Sequence, residues 1–225
     1  MTQCKPFMLS LSKHCLFFRR QEGQPFDRLR ANGIVRVTLA LLLATSAPAA
    51  NTLVHPAKPI KVAGSPLAVT PPQEWNRLGR APGRHAEAWT LDGAPLNQLI
   101  FYGGIETGSP LYREHKRRQR PLPHFSSTML LTDIPPLLES SYRVSLGTTL
   151  ITLGRAEPVT FAGRRGIRFA YDFTVQSDEV HRQGEGWATI ADGHLYMITF
   201  EAPAIHYFAA GIAAARAVAE SATLP

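Results

Sequence analysis

The residues best equipped for chemistry lie in one short run, Arg113-Glu114-His115-Lys116-Arg117-Arg118-Gln119-Arg120. Arg113, Lys116, Arg117, Arg118 and Arg120 against Glu114 give it a local charge of +4. Clustered guanidinium and ammonium groups attract phosphate and carboxylate. The run is therefore a candidate contact for an anionic partner: a lipid head group, an acidic protein face or a polyanionic cell-wall polymer. Pro121 and Pro123 follow and place it in a loop, where plain solvation also produces charge runs. No aromatic residue interleaves it, so it lacks the stacking platform of a single-strand nucleic-acid site. Nucleic acid is not the expected partner.

Covalent and metal chemistry leave no comparable signature. There is no Gly-x-Ser-x-Gly elbow and no His-Glu-x-x-His pair. His55, His85, His115, His124, His181, His194 and His206 are scattered without ligand spacing. Gly103-Gly104-Ile105-Glu106-Thr107-Gly108 is not followed by Gly-Lys-Ser/Thr, so it reads as a strand-ending turn rather than a phosphate loop. Asp172, Asp178 and Glu179 supply carboxylates near a hairpin tip, where solvation is the ordinary outcome. A triad of Ser, His and Asp assembled by the fold stays open, because catalytic groups need only converge in space. The expectation is a non-enzyme with no catalytic, cofactor-binding or metal-binding residues.

The elements that must position these residues are legible from periodicity. From Gly166 to Val175, Ile167, Phe169, Tyr171, Phe173 and Val175 alternate with Arg168, Asp172 and Thr174, which defines a strand with one apolar face. Asp192-Gly193 between two strand-forming runs predicts a tight type I′ hairpin. In the following strand Tyr196, Ile198 and Phe200 face one way and Leu195 and Met197 the other, so both faces must be covered. Pro203 suits the first turn of an alanine-rich helix, on which Phe208, Ile212 and Ala219 share one side and His206, Arg216 and Glu220 the other.

A second helix is expected between Leu130 and Leu146, with Asp133 as cap, Pro135-Pro136 near its start and Gly147 at its end. Further strands are expected at Leu67–Thr70, Glu87–Leu91, Leu99–Tyr102, Thr149–Leu153 and Pro158–Phe161. Gly103-Gly104 and Gly163 to Gly166 are expected as turns, and Trp75 as a core anchor. Strands, loop, helix, strands, helix is an α+β order with a mainly antiparallel sheet.

The total charge is +7, but residues 1–50 hold seven Lys/Arg against Glu22 and Asp27, a balance of +5 that leaves +2 for the rest. Residues 1–34 lack periodicity. Gly23-Gln24-Pro25-Phe26-Asp27-Arg28-Leu29-Arg30-Ala31-Asn32-Gly33 and Lys13-His14-Cys15 resemble the translation of short palindromic repeats of proteobacterial genomes. That makes 1–34 a spurious or disordered extension, with Val35 the expected start. Residues 35–49 then read as a signal peptide: Arg36, the apolar Val37–Leu43, and Ala47-Pro48-Ala49 as the cleavage site, giving a periplasmic product. The apolar run is far shorter than the roughly 20 residues that span a bilayer. Both cysteines, Cys4 and Cys15, fall in the prefix, so a chain processed near Ala49 has no disulfide or thiol chemistry. Residues 50–63 are expected as a linker and 64–225 as a single domain.

The hairpin carrying Leu195-Tyr196-Met197-Ile198-Thr199-Phe200-Glu201-Ala202-Pro203, the Tyr207-Phe208 pair and the closing helix resemble the end of PsbP-like domains. Pro71-Pro72-Gln73-Glu74-Trp75 resembles their opening. Trp89-Thr90-Leu91-Asp92-Gly93, Leu96-Asn97-Gln98-Leu99 and Met129-Leu130-Leu131-Thr132-Asp133 are similar to exported alphaproteobacterial proteins. The resemblance, over roughly Gly64 to Ser221, implies an α/β/α sandwich and a non-catalytic binding or assembly role. The PsbP-like families include a photosystem extrinsic subunit, a Ran-binding nuclear transport factor and envelope lipoproteins. It carries no shared active site, and no cysteine stands at the cleavage point to make a lipid anchor. The leading expectation is an envelope binding protein. The alternative is a small-ligand binder or weak hydrolase with a cleft site.

Overall fold

The computed structural model describes residues 50–114, 121–175 and 179–225. The expected extension, signal peptide and cleavage site at 1–49 lie outside these residues. In chain order the strands are β1 (Thr52–Val54), β2 (Ile60–Lys61), β3 (Ala68–Val69), β4 (Trp75–Arg77), β5 (Ala86–Thr90), β6 (Gln98–Ile105), β7 (Leu150–Phe161), β8 (Arg164–Thr174), β9 (His181–Ala191) and β10 (His194–Pro203). Helix α1 (Ile134–Ser145) follows a short 3-10 turn, and α2 (Tyr207–Glu220) closes the chain.

Two tight hairpins build the sheet. Asp192 (φ 52°) and Gly193 (φ 77°) both adopt positive φ, as a type I′ turn requires, and join β9 to β10. Ala162 (φ 51°) and Gly163 (φ 74°) do the same between β7 and β8. The turn therefore ends earlier than Gly163 to Gly166 suggested, and Arg164 to Gly166 begin β8. The alternation in β8 holds: Ile167, Phe169, Tyr171 and Phe173 are buried. The two strands expected at 149–161 are one, β7, with a register shift between Leu153 and Ala156.

Eight strands form one antiparallel sheet in the order β1-β4-β5-β6-β10-β9-β8-β7, and β2 pairs with β3 in a separate ribbon. β10 lies at the centre and is buried along nearly its whole length. Its even residues, Ile198, Phe200 and Ala202, join Trp75, Trp89, Phe101 and the buried α2 residues Ala215, Val218 and Ala219. Its odd residues Leu195 and Met197 join Tyr102, Ile167, Phe169, Tyr171 and the α1 residues Ile134, Leu137, Leu138 and Tyr142. Two cores on opposite faces of one antiparallel sheet, each capped by a helix, make an α+β sandwich of helix, sheet and helix.

Several boundaries differ from expectation, each for a local reason. Residues 50–63 are not a linker: β1 pairs with β4, β2 pairs with β3, and Val54 and Val62 are buried. Strands of two or three residues are too short to show a period. Gly103-Gly104 does not end β6. The strand runs through to Ile105 with one extra residue opposite Tyr196, and Gly104 (φ 67°) takes the bulge. Gly103 is required because a Cβ there would sit 2.3 Å from Ser65 Oγ. Pro203 ends β10, pairing with Arg182, instead of starting α2. At α1, Pro135 and Pro136 occupy the first turn and Gly147 (φ 66°) follows the end, as expected. The Asp133 carboxylate, however, accepts from the Leu130 N–H (2.8 Å) rather than capping the helix. No helix among the described residues is long and apolar enough to cross a membrane.

Candidate functional site

Of the five expected contact residues, Arg113 is described; Lys116, Arg117, Arg118 and Arg120 lie outside the described residues. Arg113 stands on the wall of a cleft of about 600 Å³, together with Arg84, His85, Glu106, Ser109 and Tyr112. The two cationic segments are pinned to each other. The Arg113 N–H donates to Pro82 O (3.2 Å). Gly83 packs so tightly on Leu111 that a Cβ would sit 2.2 Å from the Leu111 carbonyl oxygen. His85 is held by its own carbonyl, which accepts from the Gly103 N–H (2.9 Å). Arg84 and Arg113 are exposed and have no ion-pair partner among the described residues. Glu114 is already engaged, accepting from the Leu122 N–H (3.2 Å) and contacting His124 (3.4 Å). Among the described residues, both guanidinium groups of the cleft are thus without an ion pair.

Behind the cleft lies a polar cluster that sequence reasoning missed. Glu201 and Thr199 are odd residues of β10 and so face α1 with Leu195 and Met197. Tyr142 of α1 donates to Glu201 Oε2, and Tyr171 of β8 donates to the same oxygen at 3.4 Å. The two phenol oxygens are 3.3 Å apart. Tyr102 of β6 donates to Tyr112 (3.0 Å), whose ring meets Tyr142 edge-on with centroids 5.8 Å apart.

Tyr171 reaches Glu201 only because β9, the strand between them, carries glycine at the crossing. Gly184 pairs with both Tyr171 and Glu201, and a Cβ on it would stand 2.1 Å from Tyr171 Cζ. Gly186 makes the same room for Phe169. The sequence signal was present: two glycines two apart in a strand, on one face, opposite aromatic positions.

Burial raises the proton affinity of all these groups. It pushes the Tyr102, Tyr112, Tyr142 and Tyr171 phenols up, with the Glu201 charge adding to the rise. Burial also pushes the Glu201 carboxyl above its ordinary value, opposed by the hydrogen bond from Tyr142, the charge of Arg182 and the hydrogen bond from Tyr171. The cluster is a buried carboxyl bounded by phenols, in which burial favours the protonated form of each group.

The remaining sequence candidates stay apart. His181 contacts Asp172 (3.4 Å) on the surface, and His55 contacts Glu74 (3.4 Å). Glu179 is exposed, and Asp178 lies outside the described residues. Among the described residues no three His, Cys, Asp or Glu side chains converge as metal ligands. On the opposite face of the sheet, Glu185 is gripped bidentately by Arg216 of α2 (3.0 and 2.6 Å).

No protein-family model matches the chain, and no curated protein matches it. Among solved structures the chain is similar to cyanobacterial PsbP (CyanoP) from Synechocystis sp. PCC 6803. The identity is 16%, with 80% of this chain and 96% of that one covered, and the TM-score is 0.48. It is also similar to LpqN, involved in cell envelope biogenesis of Mycobacterium tuberculosis. There the identity is 11%, with 80% and 88% covered, and the TM-score is 0.31.

Proposed function

We propose that this chain is an exported, non-catalytic binding protein of the bacterial envelope that engages an anionic partner at the cleft. The observation that carries the proposal is the pair of guanidinium groups, Arg84 and Arg113, which have no ion-pair partner among the described residues and stand on segments locked together by the Arg113 to Pro82 hydrogen bond. Guanidinium suits carboxylate and phosphate, because its planar fork donates two hydrogen bonds at once. Lys116, Arg117, Arg118 and Arg120 extend the positive run directly from Arg113 in sequence. Export by a signal peptide cleaved near Ala49 belongs to the same proposal.

The test is crosslinked capture from the native envelope with the wild-type chain and with an Arg84→Glu/Arg113→Glu variant. A partner held by the wild type and lost by the variant supports the reading. An identical capture pattern for both removes it. One observation favours a second reading: a cleft of about 600 Å³ is in the size range of small-molecule sites. Native mass spectrometry of the purified protein decides for a small ligand if a bound mass accompanies the wild type and leaves the double variant.

A further inference from the structure

β7 is the outermost strand of the sheet, so one of its sides meets no neighbouring strand. Backbone groups along such an edge are a template for a further strand. In an antiparallel strand the N–H and C=O of one residue point to the same side, and those of the next residue to the other. Leu150 faces inward. Its N–H donates to Thr148 Oγ1 (3.2 Å), its carbonyl accepts from the same hydroxyl (3.3 Å), and that hydroxyl also donates to Thr174 O of β8. Thr149 and Ile151 therefore turn their backbone groups outward, away from β8.

One side chain takes both outward carbonyls. Arg143, in the last turn of α1, donates from Nη1 to Thr149 O (2.8 Å) and from Nη2 to Ile151 O (3.3 Å). Glu139, one turn earlier on the helix, aims the guanidinium: it accepts from Arg143 Nε (3.2 Å) and Nη2 (2.7 Å). An exposed ion pair of this kind contributes little to stability. Its informative property is its place, across the acceptors that an added strand would use.

The rest of this edge is closed by other means. The ladder shifts register between Leu153 and Ala156, and Pro158 has no N–H to offer. Residues 149–153 are thus the longest regular stretch of the edge, and that is the stretch Arg143 covers. It contains no charged residue, and Leu150 is 67% exposed. An uncharged stretch can pair antiparallel with itself about a two-fold axis at Ile151. Leu150 then stands opposite Thr152, and Thr149 opposite Leu153, with no like charges opposed. The occupant that fits is the same stretch of a second copy of this chain.

We propose that residues 149–153 are a strand-docking edge held shut by Arg143: while the guanidinium spans the Thr149 and Ile151 carbonyls the edge accepts no strand, and when it is withdrawn two copies of the chain join their sheets there. Glu139 is the positioning residue for this latch. The proposal is independent of the cleft reading above, because it uses none of the cleft residues.

The experiment is the solution mass of the full chain, measured by sedimentation over a concentration series, with amide hydrogen exchange on the same samples. Arg143→Ala is expected to move toward twice the wild-type mass as concentration rises. The outward amides of Thr149, Ile151 and Leu153 are expected to exchange more slowly in its concentrated samples than in its dilute ones, a change that simple loss of a surface ion pair does not produce. Arg143→Ala/Leu150→Lys is expected to return to the wild-type mass, because lysine on an edge opposes strand addition. Glu139→Gln keeps Arg143 but removes its aim, and is expected to associate more than wild type and less than Arg143→Ala. It carries the test on a folded chain if Arg143→Ala does not fold. A wild-type mass in both Arg143→Ala and Glu139→Gln overturns the latch. So does association that leaves the three amides unprotected or persists with Leu150→Lys.

Discussion

At the scale of single residues, Glu201 is a carboxyl whose charge burial makes costly to keep. Burial raises its folded-state proton affinity above that of an exposed carboxyl, and two phenol donors and Arg182 only partly compensate. The consequence for stability has a definite sign. As pH rises from the ordinary carboxyl range, the unfolded chain releases this proton first, so the native state holds more protons and loses stability. The loss is complete once pH passes the raised folded value. Below the ordinary value this group takes nothing from stability. Glu201→Gln keeps the shape and removes the titration. In urea unfolding followed across pH, the variant is expected to show a flatter decline than the wild type through that window. Parallel curves would show that the carboxyl does not titrate there. Two glycines make the cluster possible, since any side chain at Gly184 collides with the Tyr171 ring and at Gly186 with Phe169.

At the scale of elements, the two helices are fastened differently. Helix α1 is fixed through Tyr142, whose ring packs against Tyr112, Tyr171 and Phe173 with centroids 5.1 to 5.8 Å apart. Helix α2 packs through small residues, with Gly211 against the Phe200 ring. Its lateral position is set by the Arg216 fork on buried Glu185. Arg216 was expected on the solvent side of the helix, but Glu185 on the sheet beneath it draws the guanidinium down. Arg216→Ala strands a buried carboxylate whose second cation, Arg168, stands 3.9 Å away. A loss of about 2 kcal/mol is expected, read as a lower urea midpoint at unchanged slope. Arg216→Lys should recover only part of it, because an ammonium cannot make the paired contact. The outer strand β7 carries a register shift near Arg155 and has Pro158 within it, features that discourage pairing with another chain.

At the scale of the whole molecule, the folded unit begins before the Gly64 boundary that the sequence suggested. A chain of residues 50–225 keeps β1, β2 and the buried Val54 and Val62. A chain of residues 64–225 loses both valines, at about 1.5–3 kcal/mol each, and the pairing of β1 with Trp75 to Arg77. Thermal unfolding of the two is expected to differ by many degrees. Equal midpoints would mean that this segment is only an attachment.

The sequence by itself determined the central hairpin, the apolar face of β8, the two-sided burial of β10 and the ends of α1. These depend on near-neighbour spacing and turn chemistry, and both are written locally. It also marked Arg113 as part of a charged run. The tertiary structure decided the partners. It brought Arg84, twenty-nine positions before Arg113, to the same cleft, and it set Tyr102, Tyr142 and Tyr171 around Glu201. These residues come from three strands and a helix, and each alone reads as an ordinary core or strand residue. A buried proton site is a property of convergence: one carboxyl becomes unusual only when distant segments remove its water and supply its hydrogen bonds.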